Sequence, residues 1–195
     1  MGLRWIITAL FFFTATKVSA SEIPTGSAAL FYFTQSRTFK NNDDETKTDR
    51  KYQFIDLGFC YTMDVICFGA KYTELSVEAE SEFNGFSDDE GGSKYTGLGI
   101  KIGVSLKNGF IAHFAYMVEN SLEEGQGRDK VSYNITSANI LDLGYGFKVQ
   151  KLRAGPMISS VTYKIDRAIL DSGEEVDLNL TQQYTIPFLA LWIDF

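Results

Sequence analysis

The chain has 195 residues and a formal net charge of −7, from 18 basic and 25 acidic side chains. This length favours a single domain, and the acidic balance argues against nucleic-acid binding, which requires a basic surface. Proline is scarce, at 3 residues, whereas glycine, at 17, and aromatic residues, at 14%, are plentiful. Such a composition is typical of many short β-strands.

The first residues have the features of a secretory signal peptide. Arg4 precedes a short apolar stretch from Trp5 to Thr14, and Val18-Ser19-Ala20 forms a small-residue cleavage site. The apolar stretch is too short to span a membrane as a helix. We therefore expect residues 1–20 to be a cleaved signal peptide and residues 21–195 to form one domain. An uncleaved N-terminal anchor is the alternative.

Eight later segments show the two-residue alternation of side chains that predicts β-strands. None is a continuous apolar run long enough to span a membrane as a helix. The predicted strands are 28–38, 51–62, 65–76, 95–106, 110–119, 132–148, 152–165 and 182–195.

Short and long connections between these strands alternate along the chain. The short connections are Met63-Asp64, Lys107-Asn108-Gly109 and Val149-Gln150-Lys151, of which Asn-Gly is a typical hairpin turn. The long, charged connections are 39–50, 77–94, 120–131 and 166–181. Outer-membrane barrels have this arrangement, with short periplasmic turns and long external loops. The predicted fold is therefore all-β, an eight-stranded antiparallel up-and-down transmembrane β-barrel with both termini in the periplasm.

The strand from Tyr95 to Leu106 shows which face meets lipid. Its even-numbered residues, including Ile100, are uncharged, whereas Lys101 lies on the opposite face. A lysine at the bilayer midplane costs about 2–4 kcal/mol, so the register is well specified.

Alternation on the other strands assigns a set of polar side chains to the interior. These residues are Asp56, Lys71, Lys101, His113, Asp142, Lys148 and Arg153. An eight-stranded barrel is only wide enough inside for side chains, and buried charges must pair. We therefore favour a salt-bridged polar core over an ion path.

Cys60 and Cys67 are symmetric about the Met63-Asp64 turn, and both face inward. Residues directly opposite on paired strands have Cβ atoms about 4.5–5.5 Å apart, and the periplasm is oxidising. We predict a hairpin disulfide, with two free buried thiols as the alternative. No Cys-x-x-Cys motif or histidine cluster supports a metal site, and we expect no cofactor.

His113 is the only histidine, and alternation places it inward near Ala115, Met117 and Glu119. A lipid-modifying enzyme of the deacylase type would need a serine beside it on a lipid-exposed face, with a carboxylate in support. Phe114 and Ala115 follow it instead, so a hydrogen-bonded interior histidine is the preferred interpretation. The acidic 77–94 segment is interpreted as a solvated loop, with divalent-cation capture or an adhesive surface as alternatives.

The final strand alternates up to the last residue. Leu189, Leu191, Ile193 and Phe195 share one face, and Ala190, Trp192 and Asp194 share the other. This ending resembles the closing strand of bacterial outer-membrane barrels, and with the topology it makes the chain similar to the small OmpX and OmpA transmembrane-domain family. The resemblance implies a Gram-negative outer membrane, contact with its lipid and lipopolysaccharide, and folding by the barrel-assembly machinery. Leu191, Ile193 and Phe195 would then form the assembly signal.

These observations favour a non-enzymatic barrel with a structural or adhesion-like surface role and an extracellular partner bound through the acidic loops. Three other functions stay open. They are a lipid-modifying enzyme with His113 as base, a narrow pore, and a soluble lipocalin-like binder.

Overall fold

A computed structural model describes the backbone of residues 22–41, 44–83, 86–126 and 129–195, and the side chains of 24–32, 48–80, 91–125 and 131–195. The signal-peptide prediction for residues 1–20 lies outside the described residues. Every described element is a strand, and no described helix is long and apolar enough to cross a membrane. The strands are β1 (Glu22–Asn41), β2 (Asp44–Met63), β3 (Ile66–Phe83), β4 (Phe86–Ser105), β5 (Phe110–Gln126), β6 (Asp129–Tyr145), β7 (Phe147–Val149), β8 (Leu152–Ile169) and β9 (Glu175–Asp194).

The strands form one antiparallel up-and-down sheet whose hydrogen bonding is ring-like. Apart from β6 and β7, neighbours along the chain pair with each other. β1 also pairs with β9, and β6 and β7 both pair with β8. The predicted sixth strand, 132–148, is divided in two at Gly146, whose N–H donates to the Gly109 carbonyl at 2.8 Å. The structure therefore has nine strands where eight were predicted.

The long-loop prediction is wrong, because the strands continue through most of those segments. The β3–β4 pairing, for example, extends to Phe83 and Phe86, within the predicted 77–94 loop. The longest remaining connection among the described residues is 170–174. In these segments the outer face of a strand is polar, so it no longer contrasts with the interior, and the backbone ladder continues without an alternation that sequence analysis can detect. We call the end of the ring at which the predicted long loops lie the hairpin end. The opposite end, which carries the short turns, is the turn end.

The β2–β3 turn consists of Asp64 and Val65, one residue later than predicted. Met63 pairs with Ile66, and Asp64 adopts a positive φ of 56°. Aspartate tolerates this left-handed conformation better than most residues because its short polar side chain bonds locally. The shift moves the cysteines off a directly opposite position, because Cys60 pairs with Gly69 and Cys67 with Thr62.

The outer face of the turn-end half is covered by exposed apolar side chains, which we call the apolar band. Each of the nine strands contributes to it. On β5 it runs from Phe110 to Val118, about 27 Å at roughly 3.4 Å per residue. Its members include Leu30, Leu57, Phe68, Ile100, Ile102, Phe114, Leu141, Leu143, Phe147, Ile158, Leu189 and Leu191.

Beyond the apolar band the outer face becomes polar. Side chains that point outward on the hairpin-end half include Gln53, Lys94, Ser121, Lys164 and Gln183. Around the ring, the outer face is therefore apolar in the turn-end half and polar in the hairpin-end half.

Candidate functional site

A buried ion pair network crosses the ring interior. Lys71 Nζ lies 2.6 Å from Asp56 Oδ1 and 2.6 Å from Asp142 Oδ2, and all three side chains are buried. Lys71 is on β3 and Asp142 on β6, which β4 and β5 separate in the ring. The network therefore ties distant parts of the wall together through one ammonium group.

Two hydroxyl groups complete the coordination of these carboxylates. Thr73 donates to Asp56 Oδ1 at 2.9 Å, and Ser159 donates to Asp142 Oδ1 at 2.8 Å. Each buried carboxylate thus receives one charged and one neutral donor, as burial of ionised groups requires. Sequence analysis proposed Asp56, Lys71 and Asp142 but missed the two hydroxyl residues, because a serine or threonine on an alternating face carries no distinctive signal.

Lys101, His113 and the cysteine pair lie close to this network. Lys101 is 3% exposed and His113 is 5% exposed. Cys60 and Cys67 form the disulfide that was predicted, with a Cα–Cα distance of 5.5 Å, although they are diagonal rather than opposite neighbours. The ligand atoms of His113 and both cysteines lie within 4.8 Å of one another, but sulfur atoms in a disulfide are not the thiolates that bind metals.

We expect the disulfide to raise the free energy of unfolding by about 2 kcal/mol, because it closes a short loop of sequence separation 7. The paired substitution Cys60→Ser with Cys67→Ser should lower the denaturant midpoint accordingly. Dithiothreitol should lower the denaturant midpoint of the original protein by the same amount and leave the midpoint of the double variant unchanged. Equal midpoints for the original and double-serine proteins would contradict this expectation.

Inward-facing glycines make room for the interior side chains and for close backbone approach. A Cβ on Gly69 would overlap the carbonyl oxygen of Phe59. Gly58 similarly leaves space for the Lys101 ammonium group, since its Cβ would lie 2.5 Å from Lys101 Nζ. Glycine at these positions therefore has a packing role.

Gly69→Ala should lower the free energy of unfolding by about 1–3 kcal/mol, because the methyl group forces a backbone shift in a filled interior. Gly146→Ala is the matched control, since its Cβ would first meet Trp192 Cζ3 at 3.3 Å. A denaturant titration should show a clearly smaller loss for the control. A Gly69→Ala protein as stable as the control would show that the interior yields more easily than the distances indicate.

The interior of the hairpin-end half is apolar, a feature that sequence analysis did not anticipate. Phe54 and Phe188 have ring centroids 5.1 Å apart, and Tyr95 and Tyr163 stack at 5.0 Å. These rings belong to a continuous buried cluster. Its aliphatic members include Leu75, Leu122, Ile140, Val161, Ile165 and Ile186. Apolar packing thus closes the ring on one side of the ion network.

A second ion cluster lies at the turn end. Asp194 Oδ2 is 2.7 Å from Lys148 Nζ and 3.3 Å from Arg153 Nη2, and Thr25 donates to Asp194 Oδ1 at 3.3 Å. The Asp194 side chain is buried, whereas Lys148 is half exposed and Arg153 is one-fifth exposed. Lys148 therefore lies at the rim rather than in the predicted core. The alternation of the last strand puts Asp194 on the face opposite Leu191, but Asp194 was not among the residues predicted for the polar core.

A cavity of about 640 Å³ occupies the interior between the ion network and the turn end. Lys101, His113 and Cys60 line its inner part, and turn residues such as Asp64 and Asn108 also line it. Arg153 and the buried Trp192 contribute to the wall. The cavity thus connects the deep polar residues with the turn end of the ring.

Ser105 lies beside His113, a contact that sequence analysis missed because the two residues are on adjacent strands. Ser105 Oγ is 3.4 Å from His113 Nε2, and both line the interior cavity. An enzyme acting on membrane lipid would need this pair on the outer face. Glu119 was expected next to His113, but a bulge at Val118 turns its exposed side chain outward.

The outer face of the hairpin end carries exposed ion pairs. Lys51 bonds to Glu80, and Lys94 Nζ lies 2.8 Å from Glu74 Oε1. The hydrogen bond that Lys51 donates to Glu80 raises the pKa of Lys51, and the hydrogen bond that Lys94 donates to Glu74 raises the pKa of Lys94. Both lysines are therefore charged at neutral pH. Glu80, which falls within the predicted 77–94 loop, therefore lies on β3.

The C-terminal strand presents its proposed assembly residues outward. Leu191, Ile193 and Phe195 are 41%, 43% and 62% exposed. The Phe195 N–H donates to the Pro24 carbonyl at 2.9 Å, which extends the contact between the two strands that close the ring.

Comparison of the sequence with protein-family models and with curated proteins finds no match. The geometry of the chain must therefore carry any functional conclusion.

Proposed function

We propose that the chain is an eight-stranded transmembrane β-barrel of a Gram-negative outer membrane, with β6 and β7 acting as one interrupted strand. The observation that carries this proposal is the apolar band. Leu30, Ile100 and Leu189 are 71%, 65% and 71% exposed, and neighbours on every strand extend the surface around the ring. Water-soluble proteins rarely expose an apolar surface of this extent.

The height and inner lining of the band also support a lipid environment. Outer-membrane barrels carry an outward apolar band about 25 Å tall. The β5 segment of about 27 Å along a strand gives a comparable height after the usual tilt. Behind the band lie Asp56, Lys71, Lys101 and Asp142, all buried. A soluble lipocalin-like binder would instead have apolar side chains inside this part of the ring and polar side chains outside it.

Side chains that obstruct the described interior favour a structural or surface role over a pore. The ion network and the apolar cluster both cross the described interior, and an eight-stranded barrel has little free width to begin with. We expect planar-bilayer recordings of the purified protein to show no conductance steps. Discrete steps would replace this interpretation with that of a narrow pore.

The hairpin end is the surface proposed for contact with an extracellular partner or with lipopolysaccharide. Its strands extend beyond the apolar band and carry exposed carboxylates such as Glu78, Glu80 and Glu123. The β8–β9 hairpin adds three exposed aliphatic side chains, Ile169, Val176 and Leu180. Under the same proposal, the barrel-assembly machinery would recognise the outward residues of the last strand.

Cysteine labelling on intact cells tests both location and orientation. Ser172→Cys, in the 170–174 hairpin, should react with a membrane-impermeant maleimide before the cells are opened. Lys151→Cys, in a short turn, is the matched control and should react only after permeabilisation. Reaction of both sites on intact cells, or recovery of the protein in a detergent-free wash, would overturn the proposal.

A further inference from the structure

Cationic and hydroxyl side chains form much of the lining of the interior cavity. Four cations line it, Lys101, Lys107, Lys148 and Arg153, whereas Asp64 is the acidic residue among the lining side chains. Ser105 adds a hydroxyl group beside His113, and Ser27 adds one near Lys101, since a Cβ on Gly58 would overlap Ser27 Oγ and lie 2.5 Å from Lys101 Nζ. A cavity with this lining attracts negative charge.

Lys101 is the deepest of these cations, and neither nearby carboxylate forms a salt bridge with it among the described residues. Both nearby carboxylates, of Asp56 and Asp142, contact Lys71 at 2.6 Å. Lys101 is nevertheless only 3% exposed. A buried ammonium group has three donors to satisfy, and the cavity is the space that Lys101 faces.

Arg153 also has donors to spare. Its Nη2 bonds to Asp194 at 3.3 Å, whereas its Nε is buried and has no hydrogen-bond partner among the described residues. Asp194 divides its charge between this guanidinium and Lys148. The turn-end cluster is therefore one negative charge short of balance.

We propose that this cavity binds a small, water-soluble organic phosphate that enters from the turn end and places its phosphate group against Lys101. Lysine serves as a point-charge phosphate ligand in proteins, and Ser27 and Ser105 would donate to the phosphate oxygens. The apolar remainder of the ligand would lie against Ile111, Tyr145 and Trp192, which form another part of the wall. The cavity volume of about 640 Å³ falls within the usual range for small-molecule sites.

The cavity belongs to the ring itself, so the site would exist whether or not the outer face meets lipid. Failure of the anion proposal would therefore leave the membrane proposal untouched. Failure of the membrane proposal would likewise leave the anion proposal untouched, because labelling of intact cells does not depend on whether the cavity is occupied.

Calorimetric titration of the purified protein with phenyl phosphate tests the site. We expect saturable binding that weakens at least tenfold in Lys101→Met and is largely retained in Lys101→Arg. Lys94→Met, which removes an exposed cation from the outer face, is the matched control and should bind as the original protein does. Phenol should bind more weakly than phenyl phosphate because it lacks the phosphate charge.

Two further arms keep the result decisive. If Lys101→Met does not fold, Ser105→Leu, which fills the cavity without touching the ion network, should abolish binding. Dihexanoyl phosphatidic acid carries a phosphate on acyl chains, and preferential binding of this lipid would contradict a water-soluble occupant. No saturable binding of phenyl phosphate, or equal affinity in the Lys101→Met protein, would overturn the proposal.

Discussion

Replacement of Lys71 by methionine should lower the free energy of unfolding by about 3–5 kcal/mol. The substitution keeps the length of the side chain but removes the ammonium group that lies 2.6 Å from both Asp56 and Asp142. The two buried carboxylates would then lose the ammonium group that contacts both of them, and breaking a buried ion pair from one side costs this much. The loss is measured by denaturant titration in detergent micelles, with heat-modifiable gel mobility as the signal for the folded protein.

Lys94→Met is the matched control for this experiment. Lys94 pairs with Glu74, but its side chain is half exposed, and surface ion pairs contribute at most about 1 kcal/mol. The control should therefore unfold close to the midpoint of the original protein. If Lys71→Met were as stable as Lys94→Met, the ion network would have no role in stability.

Ile100→Arg should destabilise the protein by about 2–4 kcal/mol in a bilayer, because it places a charge on the face of β4 that is proposed to meet lipid. Ile100 is 65% exposed. In a water-soluble protein the same change at so exposed a position would fall within about 0.5 kcal/mol. The two environments thus predict clearly different results for a single substitution.

Ser121→Arg provides the control on the same outer face. Ser121 is exposed beyond the apolar band, where arginine would remain in water. Folding into lipid vesicles, measured by urea titration, should be weakened by the first substitution and not by the second. Equal behaviour of the two variants would mean that Ile100 does not meet lipid.

Alternation alone was sufficient to orient the strands that carry Ile100 and Leu143, although it could not orient the first strand, which is apolar on both faces. Lys101 and Asp142 are buried while Ile100 and Leu143 are exposed, as the two-residue period predicted. The pattern is strong there because one face is apolar and the other carries charges or glycine. The same reasoning could not reach the hairpin-end half, where residues such as Glu78 and Glu80 leave no apolar outer face to contrast with the interior.

Local backbone geometry accounts for the remaining errors. The β2–β3 turn moved by one residue because Asp64 adopts a left-handed conformation, which sequence symmetry about the turn does not reveal. The bulge at Val118 inserts one residue in β5 and reverses the side on which Glu119 lies. Contacts that cross the ring, such as that between Lys71 and Asp142, depend on both strand order and stagger. The sequence could therefore predict only that these residues lie in the interior.

Labelling with a photoactivatable apolar probe dissolved in the bilayer tests the proposed membrane position most directly. After illumination of the protein in lipid vesicles, mass spectrometry identifies the modified residues. We predict modification at Ile100, Leu143 and Leu189 and none at Lys101 or Asp142. Modification of Lys101 and Asp142 in place of the three apolar residues would contradict the proposed barrel.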